Sequence, residues 1–341
     1  MQLVRQKEES AMKRHGPRRL ARGPVCTTLV TLLAAALASG CAAEGTDSAT
    51  GGKRPAPPAP GQEGPPLLKP RQEGPPLLKA APPDALSAYA GEVRRKQAAR
   101  VAAARKQVAA AKKWRLAKVP LAAPEPPAVK PRITTRKGFE VTGGETLPPV
   151  FTTVPTKERI VFLTMDDGAE KDPALLRMMT ELDIPYSAFL SDYVVKEDYG
   201  YFRKMKARGV TLSNHTLNHR YMPGLSYAEQ KREICGQQDR MAKEFGKRPT
   251  LFRPPYGNYN GDTLRIAKSC GIKAVPLWAS EAFPDHMEWR EWDRDLHPGD
   301  IILTHFRGPG DWKGSMPDMI RRVMKTVTDK GYAVARLEDY V

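Results

Sequence analysis

Long apolar segments and cysteines are both scarce in this 341-residue chain. The first apolar run, Val25–Leu37, has 13 residues, whereas a helix needs about 20 to span a bilayer. No later segment is more apolar, so the sequence predicts no transmembrane helix. Of the four cysteines, Cys235 and Cys270 fall in the folded region, without the spacing of a metal site. In an exported domain they would form one disulfide or remain two buried thiols, and the sequence favours neither.

Acidic residues are scarce before Lys157, and this uneven distribution explains the net charge of +17. Residues 157–341 contain 29 Lys or Arg and 27 Asp or Glu, so +15 of the charge lies in the N-terminal part. The nearly neutral folded region argues against a nucleic-acid-binding groove. The basic N-terminal part instead favours attraction to an anionic surface, such as lipid head groups or cell-wall polymers.

The first 41 residues have the pattern of an export signal. Three arginines between positions 18 and 22 precede the short apolar run, and small residues ending in Cys41 follow it. The stretch before Cys41 resembles the lipobox of bacterial lipoproteins, in which this cysteine is lipidated. The alternative is an ordinary cleaved signal in which Cys41 has no role. We expect a secreted protein, anchored through Cys41 to the outer face of the membrane.

Composition divides the rest of the chain into four segments. Residues 42–86 are rich in Pro and Gly and are predicted to form an extended linker. Residues 87–119 are rich in Ala, Lys and Arg and predict a basic helical stalk. This helix would contact an anionic membrane or cell-wall polymer, or would serve as a solvated spacer. Residues 120–154 are predicted to be a second linker, and 155–341 the folded domain.

Short apolar runs alternate with longer helical patterns in the folded domain. This alternation predicts a parallel α/β barrel or open sheet, in which functional side chains gather at the carboxyl ends of the strands. The predicted strands are Ile160–Thr164, Tyr186–Leu190, Val210–Ser213, Thr250–Arg253, Ala274–Leu277, Ile301–Thr304 and Ala333–Arg336. The predicted helices are Asp172–Leu182, Tyr199–Ala207, Ser226–Phe245, Asp262–Cys270 and Pro317–Lys330.

Candidate metal ligands follow two of these strands. His215 and His219 are four residues apart, so on a helical turn they would point the same way and share one ion. Such a pair on a surface helix is more often solvated, but Asp167 at an independent strand end would complete a His-His-Asp set. These ligands suit zinc, with cobalt, nickel or iron as alternatives.

Candidate acid and base groups lie beside this set. Asp166 would remain free as a base while its neighbour Asp167 binds the ion, although an acidic pair at a strand end also caps helices. Arg253 would hold Asp166 ionised and oriented. His305, which follows the sixth predicted strand, would protonate a leaving amine.

Four motifs in this order resemble those of the polysaccharide deacetylases of carbohydrate esterase family four. They are Thr-Met-Asp-Asp-Gly, His-Thr-x-x-His, Arg-Pro-Pro-Tyr-Gly and Leu-x-His, within residues 155–341. The resemblance implies a distorted (β/α)7 barrel. It also implies that Asp167, His215 and His219 bind the metal ion and that Asp166 is the general base.

The same resemblance implies roles for four further residues. Arg253 would orient the base, and the backbone N–H of Tyr256 would stabilise an oxyanion. His305 would be the general acid, and Leu303 would line the acetyl pocket.

One stretch departs from the family's pattern. The family has an Asp-x-x-Asp-Trp element after the fifth strand, whose Asp tunes the catalytic His and whose Trp walls the substrate pocket. This sequence offers Glu281 or Asp285 as the partner of His305, and Trp278 or Trp289 as the wall.

The resemblance and the export signal together lead to a functional expectation. We expect a metal-dependent hydrolase, with zinc, that removes N-acetyl groups from N-acetylglucosamine units of peptidoglycan or a chitin-like polysaccharide. An O-acetyl esterase acting on xylan or another glycan is an alternative, because the same site hydrolyses either bond. A lipoprotein that only binds wall glycan is a third interpretation, but a binding protein needs no base beside its metal ion.

Overall fold

The computed structural model describes residues 83–341. The predicted export signal at 1–41, its lipidated Cys41 and nearly all of the linker predicted at 42–86 lie outside these residues. In the part of the chain that the structure describes, no helix combines the length and the apolar character needed to cross a membrane.

A long N-terminal helix, α1 (Pro83–Lys113), forms in the segment predicted as a basic stalk. Residues 92–106 are exposed, whereas Ala111 near the C-terminal end is buried. Beyond that end, the Trp114 indole donates to the Glu181 carboxylate at 2.7 Å. The helix is therefore fixed to the folded domain at one end, and its basic surface faces solvent.

The folded domain alternates strands and helices. Its strands are β1 (Val150–Phe151), β2 (Ile160–Asp167), β3 (Ser187–Leu190), β4 (Thr211–Asn214), β5 (Val275–Pro276), β6 (Ser280–Ala282), β7 (Met287–Trp289), β8 (Ile301–His305) and β9 (Ala333–Ala335). Its helices are α2 (Pro173–Leu182), α3 (Asp192–Val195), α4 (Tyr199–Ala207), α5 (Tyr227–Phe245), α6 (Gly261–Ser269) and α7 (Met316–Asp329). Single turns of 3-10 helix lie at Met222–Gly224, Pro255–Gly257 and Leu337–Asp339.

Side-chain caps determine where the principal helices begin. Asp172 accepts a hydrogen bond from the backbone N–H of Ala174 and caps α2. Helices α5, α6 and α7 begin with reciprocal capping boxes at Ser226–Glu229, Asn260–Thr263 and Ser315–Asp318. These polar residues signal a helix start locally, and the observed starts lie within one residue of those predicted.

Strand β2 is the centre of the main sheet. It pairs in parallel with β3, β8 and β9, and the sheet extends to β4 on one side and to β6 and the antiparallel β7 on the other. A second, two-stranded sheet contains β1 and β5. Isolated bridges from Asn214 to Phe252 and from Leu251 to Ala274 lead from β4 towards β5. The strands surround an irregular barrel, so the distorted (β/α)7 barrel is confirmed.

Strand β2 is buried on both faces. Val161, Leu163 and Met165 pack into one hydrophobic cluster with the helices α2 and α7, and Ile160 and Phe162 pack into a second cluster. A strand buried on both faces has a continuous apolar run rather than an alternating pattern. The run ends at the two aspartates, which places them at the carboxyl edge of the sheet.

Some short elements differ from the prediction. The strand predicted at Thr250–Arg253 is reduced to isolated bridges, because the prolines at 254 and 255 lack the N–H that extends a ladder. Strands β6 and β7 were not predicted, since three polar or mixed residues give no apolar run.

The linker predicted at 120–154 requires a correction. Phe139 in this segment is buried, and the Tyr259 hydroxyl donates to its carbonyl oxygen at 2.5 Å. The backbone N–H of Arg136 donates to Val150, and β1 pairs with β5. The folded domain therefore begins before residue 155, and proline-rich composition concealed a strand of two residues.

Cys235 and Cys270 form a disulfide. It joins the middle of α5 to the residue that follows α6. Of the two alternatives that the sequence left open, the structure contains the bridge.

Candidate active site

The carboxyl ends of β2, β4 and β8 bring the predicted site residues together. Asp166 and Asp167 end β2, and His215 directly follows β4. The register of β2 and β8 places His305 opposite Asp166. Arg253 lies next to these strands, with its backbone N–H bonded to the carbonyl oxygen of Asn214.

Asp167, His215 and His219 form a compact cluster. One oxygen or nitrogen atom from each lies within 4.8 Å of the others. The Nε2 atoms of His215 and His219 are 3.5 and 3.3 Å from Asp167 Oδ1. That oxygen is buried and has no hydrogen-bond partner in the described part of the chain. The cluster therefore has the donor atoms and the unsatisfied oxygen of a site that could hold a metal ion.

The two imidazoles are in the protonation state that metal binding requires. Burial lowers the pKa of His215 and of His219 to about 4, so both rings are neutral at neutral pH. His215 Nδ1 donates to the carbonyl oxygen of Arg253 at 2.7 Å, which leaves Nε2 as the acceptor. This fixed tautomer is typical of metal-ligating histidines.

The loop that carries the two histidines is not the helical turn that their spacing suggested. Thr216 and His219 have positive φ angles of 71° and 53°. The Thr216 hydroxyl accepts a hydrogen bond from the backbone N–H of His219 at 3.0 Å. The backbone N–H of Thr216 donates to Asn214 Oδ1 at 2.9 Å. The side chains converge because the loop turns sharply, a geometry that residue spacing does not reveal.

Arg307 is a site residue that sequence reasoning missed. Its guanidinium donates to Asp167 Oδ2 at 2.7 Å. Burial alone would raise the pKa of Asp167, but nearby positive charges, His305 first and Arg307 among them, lower it to about 2. Asp167 is thus ionised, with Oδ2 held by Arg307 and Oδ1 directed at the imidazoles.

Asp166 lies in a different environment from its neighbour. It is 2% exposed, and Arg253, which is fully buried, donates to its Oδ1 at 2.7 Å. Burial raises the pKa of Asp166 to about 6, although the Arg253 charge opposes the shift. Asp166 is therefore suited to accept a proton near neutral pH.

Glu281 is the partner of His305. Its Oε1 lies 3.2 Å from His305 Nδ1, whereas Asp285 contacts His286 and Lys313 instead. Burial would lower the pKa of His305, but the hydrogen bond and charge of Glu281, with the aspartate charges, raise it to about 9. His305 is thus protonated at neutral pH and can donate a proton.

Trp278 and Trp289 remain predictions for the pocket wall, and the structure adds a third candidate. Trp278 is 6% exposed and packs behind the Pro255–Gly257 turn, so close that a Cβ on Gly257 would lie 3.0 Å from its ring. Trp289 and Trp312 both pack against the hydrophobic cluster that contains Val161 and Met165. Of these two, Trp312 also lies beside the catalytic candidate, with its ring centroid 6.3 Å from that of His305. No sequence pattern indicated this position, because Trp312 reaches the site from a loop after β8.

Two further predicted residues lie at the site. Leu303 is buried in β8, two residues before His305. Tyr256 has a positive φ of 59° within the Pro255–Gly257 turn, and its ring centroid is 4.7 Å from that of His219. The turn therefore brings the Tyr256 side chain to the edge of the candidate metal cluster.

The cluster predicts one strongly bound divalent ion per chain. Replacing His219 by Ala should abolish stable binding, because one of the three ligands is lost. Zinc content after dialysis would measure this. His297→Ala is the matched control, since His297 is half exposed and pairs with Asp293 and Asp300 instead. Full zinc content in His219→Ala would show that the ion binds elsewhere.

The comparisons with known proteins agree with this geometry. Residues 153–275 match the family described as "Polysaccharide deacetylase". An uncharacterized protein of Streptomyces coelicolor is 41% identical, over 58% of this chain and 79% of that protein. A peptidoglycan-N-acetylglucosamine deacetylase of Bacillus cereus is 25% identical, over 58% of this chain and 92% of that enzyme.

A solved structure supports the fold. The crystal structure of a peptidoglycan N-acetylglucosamine deacetylase superposes with a TM-score of 0.51 at 20% identity, over 58% of this chain and 95% of that chain. The family match, the 41% identical relative and the motifs at the strand ends are consistent with one another. The chain therefore belongs to the polysaccharide deacetylase family and is an enzyme of that family.

Proposed function

We propose that this enzyme removes N-acetyl groups from N-acetylglucosamine units of peptidoglycan or a chitin-like polysaccharide, in a metal-dependent reaction. One observation carries the proposal: a buried carboxylate, Asp166, lies 3.6 Å from His215 of the candidate metal cluster and opposite His305 on the neighbouring strand. A base and an acid beside a metal site suit hydrolysis of an amide bond. The similarity to a peptidoglycan-N-acetylglucosamine deacetylase supports the same substrate class.

Zinc is the proposed ion, with cobalt or nickel as substitutes. Two neutral imidazoles and one carboxylate are a ligand set that zinc enzymes use while leaving positions open. Bound by Asp167, His215 and His219, the ion would supply a Lewis acid that polarises the acetamide carbonyl and makes water easier to deprotonate.

Asp166 is the proposed general base. Above pH 6 its carboxylate is ionised and accepts a proton from the attacking water. Arg253 holds Asp166 Oδ1 at 2.7 Å, so the other oxygen, which faces His215 at 3.6 Å, is directed into the site. Asp166 stays unprotonated and correctly oriented because this guanidinium is fixed by the surrounding backbone.

His305 is the proposed general acid. Its Nδ1 is held by Glu281, so Nε2 is the nitrogen that donates a proton to the departing amine. The Tyr256 backbone N–H is the proposed donor to the oxyanion. Leu303 is proposed to line the acetyl pocket, with Trp312 rather than Trp278 as the aromatic wall.

Two alternatives follow from the same geometry. Esters are hydrolysed by the same groups, so the site would also suit an O-acetyl esterase acting on xylan. A glycan-binding lipoprotein without catalysis would need neither the raised pKa of Asp166 nor the protonated His305. The functional groups therefore favour an enzyme, and the substrate assay below separates the amide from the ester.

We also propose that the enzyme is secreted and held at the outer face of the membrane through a lipidated Cys41. The basic surface of α1 would then contact an anionic membrane or wall polymer. The exposed side chains of residues 92–106 support this proposal, because they leave the basic face of the helix open to a partner.

Acetate release tests the proposed reaction. The full chain with zinc should release acetate from N-acetylglucosamine oligomers and peptidoglycan. Asp166→Asn should lower the rate by about 10²–10⁴-fold, the usual contribution of a general base. Chelation should stop the reaction, and added zinc should restore it. Acetate released from acetylated xylan alone would favour the esterase, and none from any substrate by the zinc-bound protein would favour the binding protein.

The pH profile tests the pairing of His305 with Glu281. Activity should rise as pH passes about 6, where Asp166 ionises, and fall as pH passes about 9, where His305 loses its proton. Glu281→Gln removes the charge that raises the pKa of His305, so the alkaline decline should move to lower pH. The rise in activity near pH 6, where Asp166 ionises, should stay at the same pH.

Asp285→Asn is the control for this profile, because Asp285 pairs with His286 and Lys313. Both sides of its profile should match the wild type. An unchanged alkaline side in Glu281→Gln would rule out His305 as the acid tuned by Glu281.

Binding to anionic vesicles tests the role of α1. Each basic residue near an anionic membrane contributes about 1 kcal/mol, so replacing Arg94, Arg95 and Arg100 by Gln should weaken binding about a hundredfold. These residues are exposed, so the fold should be unaffected. Isolated wall polymer is the second arm of the assay. Equal binding of the wild type to neutral and anionic vesicles, with no binding to wall polymer, would contradict the proposal.

A further inference from the structure

Helix α5 has a buried polar face. Gln230, Glu233, Gln237 and Gln238 are all at most 4% exposed. Burying a polar group is unfavourable unless it is hydrogen-bonded. The partners of this face therefore indicate what the helix does.

Three of these four side chains form hydrogen bonds with the segments that hold His215 and His219 in place. Gln238 Oε1 accepts from Asn214 Nδ2 at 3.1 Å, and Asn214 directly precedes His215. Gln237 Nε2 donates to the carbonyl oxygen of Leu190 at 2.7 Å, and the same oxygen accepts the backbone N–H of His215.

Glu233 makes the most specific of these contacts. Its two carboxylate oxygens accept from the backbone N–H and from Nδ2 of Asn218, both at 2.8 Å. Asn218 directly precedes His219. Among the described residues, no Lys, Arg or His forms an ion pair with Glu233 within 4.0 Å. The carboxylate therefore binds the loop that carries Asn218 rather than a cationic side chain.

The backbones of the helix and the loop are also in close contact. The N–H of Leu217 donates to the carbonyl oxygen of Glu233 at 3.1 Å. A Cβ on Gly236 would lie 2.6 Å from Leu217 Cδ1, so glycine permits this approach. The disulfide from Cys235 to Cys270, with a bond from Gln238 Nε2 to the Cys270 carbonyl at 3.0 Å, fixes the same part of α5 to the next helix.

We propose that Glu233 is a positioning residue that holds the loop 214–219 in the shape required for metal binding. The loop needs such support because Thr216 and His219 adopt left-handed backbone conformations, which non-glycine residues rarely maintain unless their surroundings enforce them. Glu233 acts through Asn218, fixing the backbone from which His219 extends. The proposal rests on the metal site of the proposed function, but not on the reaction performed there.

Metal affinity is the direct test. Zn²⁺ affinity of the full chain would be measured by competition with a chromophoric chelator. Glu233→Ala should weaken it by about 10–100-fold, the effect usual for a residue that orients a metal ligand. Glu233→Gln keeps one acceptor for the Asn218 N–H and should lose less.

Gln230→Ala is the matched control. Gln230 is buried on the same helix, one turn earlier, but its partners are Thr263 and the Leu225 carbonyl rather than the metal loop. It should lose thermal stability as Glu233→Ala does, without losing metal affinity.

The visible spectrum of the Co²⁺-substituted protein gives a second measure. Glu233→Ala and Glu233→Gln should alter the ligand-field bands, and Gln230→Ala should not. Unchanged zinc affinity and an unchanged cobalt spectrum in Glu233→Ala would overturn the proposal, as would equal losses of affinity in Gln230→Ala. A wild type that binds no zinc would also overturn it. A wild type that binds zinc and releases no acetate would contradict only the proposed function.

Discussion

The buried ion pair between Arg253 and Asp166 connects the fold to the site. The Arg253 guanidinium is fully buried and donates to Asp166 Oδ1 at 2.7 Å and to the Pro276 carbonyl at 2.8 Å. Its own carbonyl oxygen accepts His215 Nδ1. One residue thus fixes the proposed base, the strand β5 and a metal-ligand candidate. Removing one partner of a buried pair typically costs about 3–5 kcal/mol, so the fold and the chemistry depend on the same contact.

Two adjacent carboxylates acquire different properties because their surroundings differ. The pKa of Asp166 is raised to about 6 by burial, and the pKa of Asp167 is lowered to about 2 by the positive charges that outweigh its burial. Adjacent residues of a regular strand point to opposite faces, but Asp167 has a positive φ of 76°, and both carboxylates lie near His215 Nε2, at 3.6 and 3.5 Å. Their different neighbours therefore separate a proposed proton acceptor from an ionised ligand candidate. With His305 held protonated by Glu281, the site has a proposed base, a candidate ligand set and a proposed acid.

Sequence patterns could predict the parts of this molecule that depend on local chemistry. Strand β2 is buried on both faces and is mostly apolar, so its start at Ile160 was located correctly, whereas it continues three residues beyond the predicted end at Thr164 and includes the two aspartates. The helix starts were predicted to within one residue, and in the structure side-chain caps such as Ser226 and Asn260 lie there. Since the carboxyl ends of parallel strands meet at one edge, the convergence of Asp167, His215 and Arg253 followed from strand assignment together with the family motifs.

The remaining parts depend on contacts between distant segments, which no local pattern encodes. Arg307 and Trp312 reach the site from a loop whose course is set by packing. The buried glutamines and Glu233 of α5 look like a solvated helix face in sequence, because polarity predicts exposure unless a partner is known. Their partner is a loop with left-handed residues, and no local sequence pattern predicts this backbone conformation. The convergence of the candidate site residues was thus predictable, whereas the residues that hold them in place required the structure.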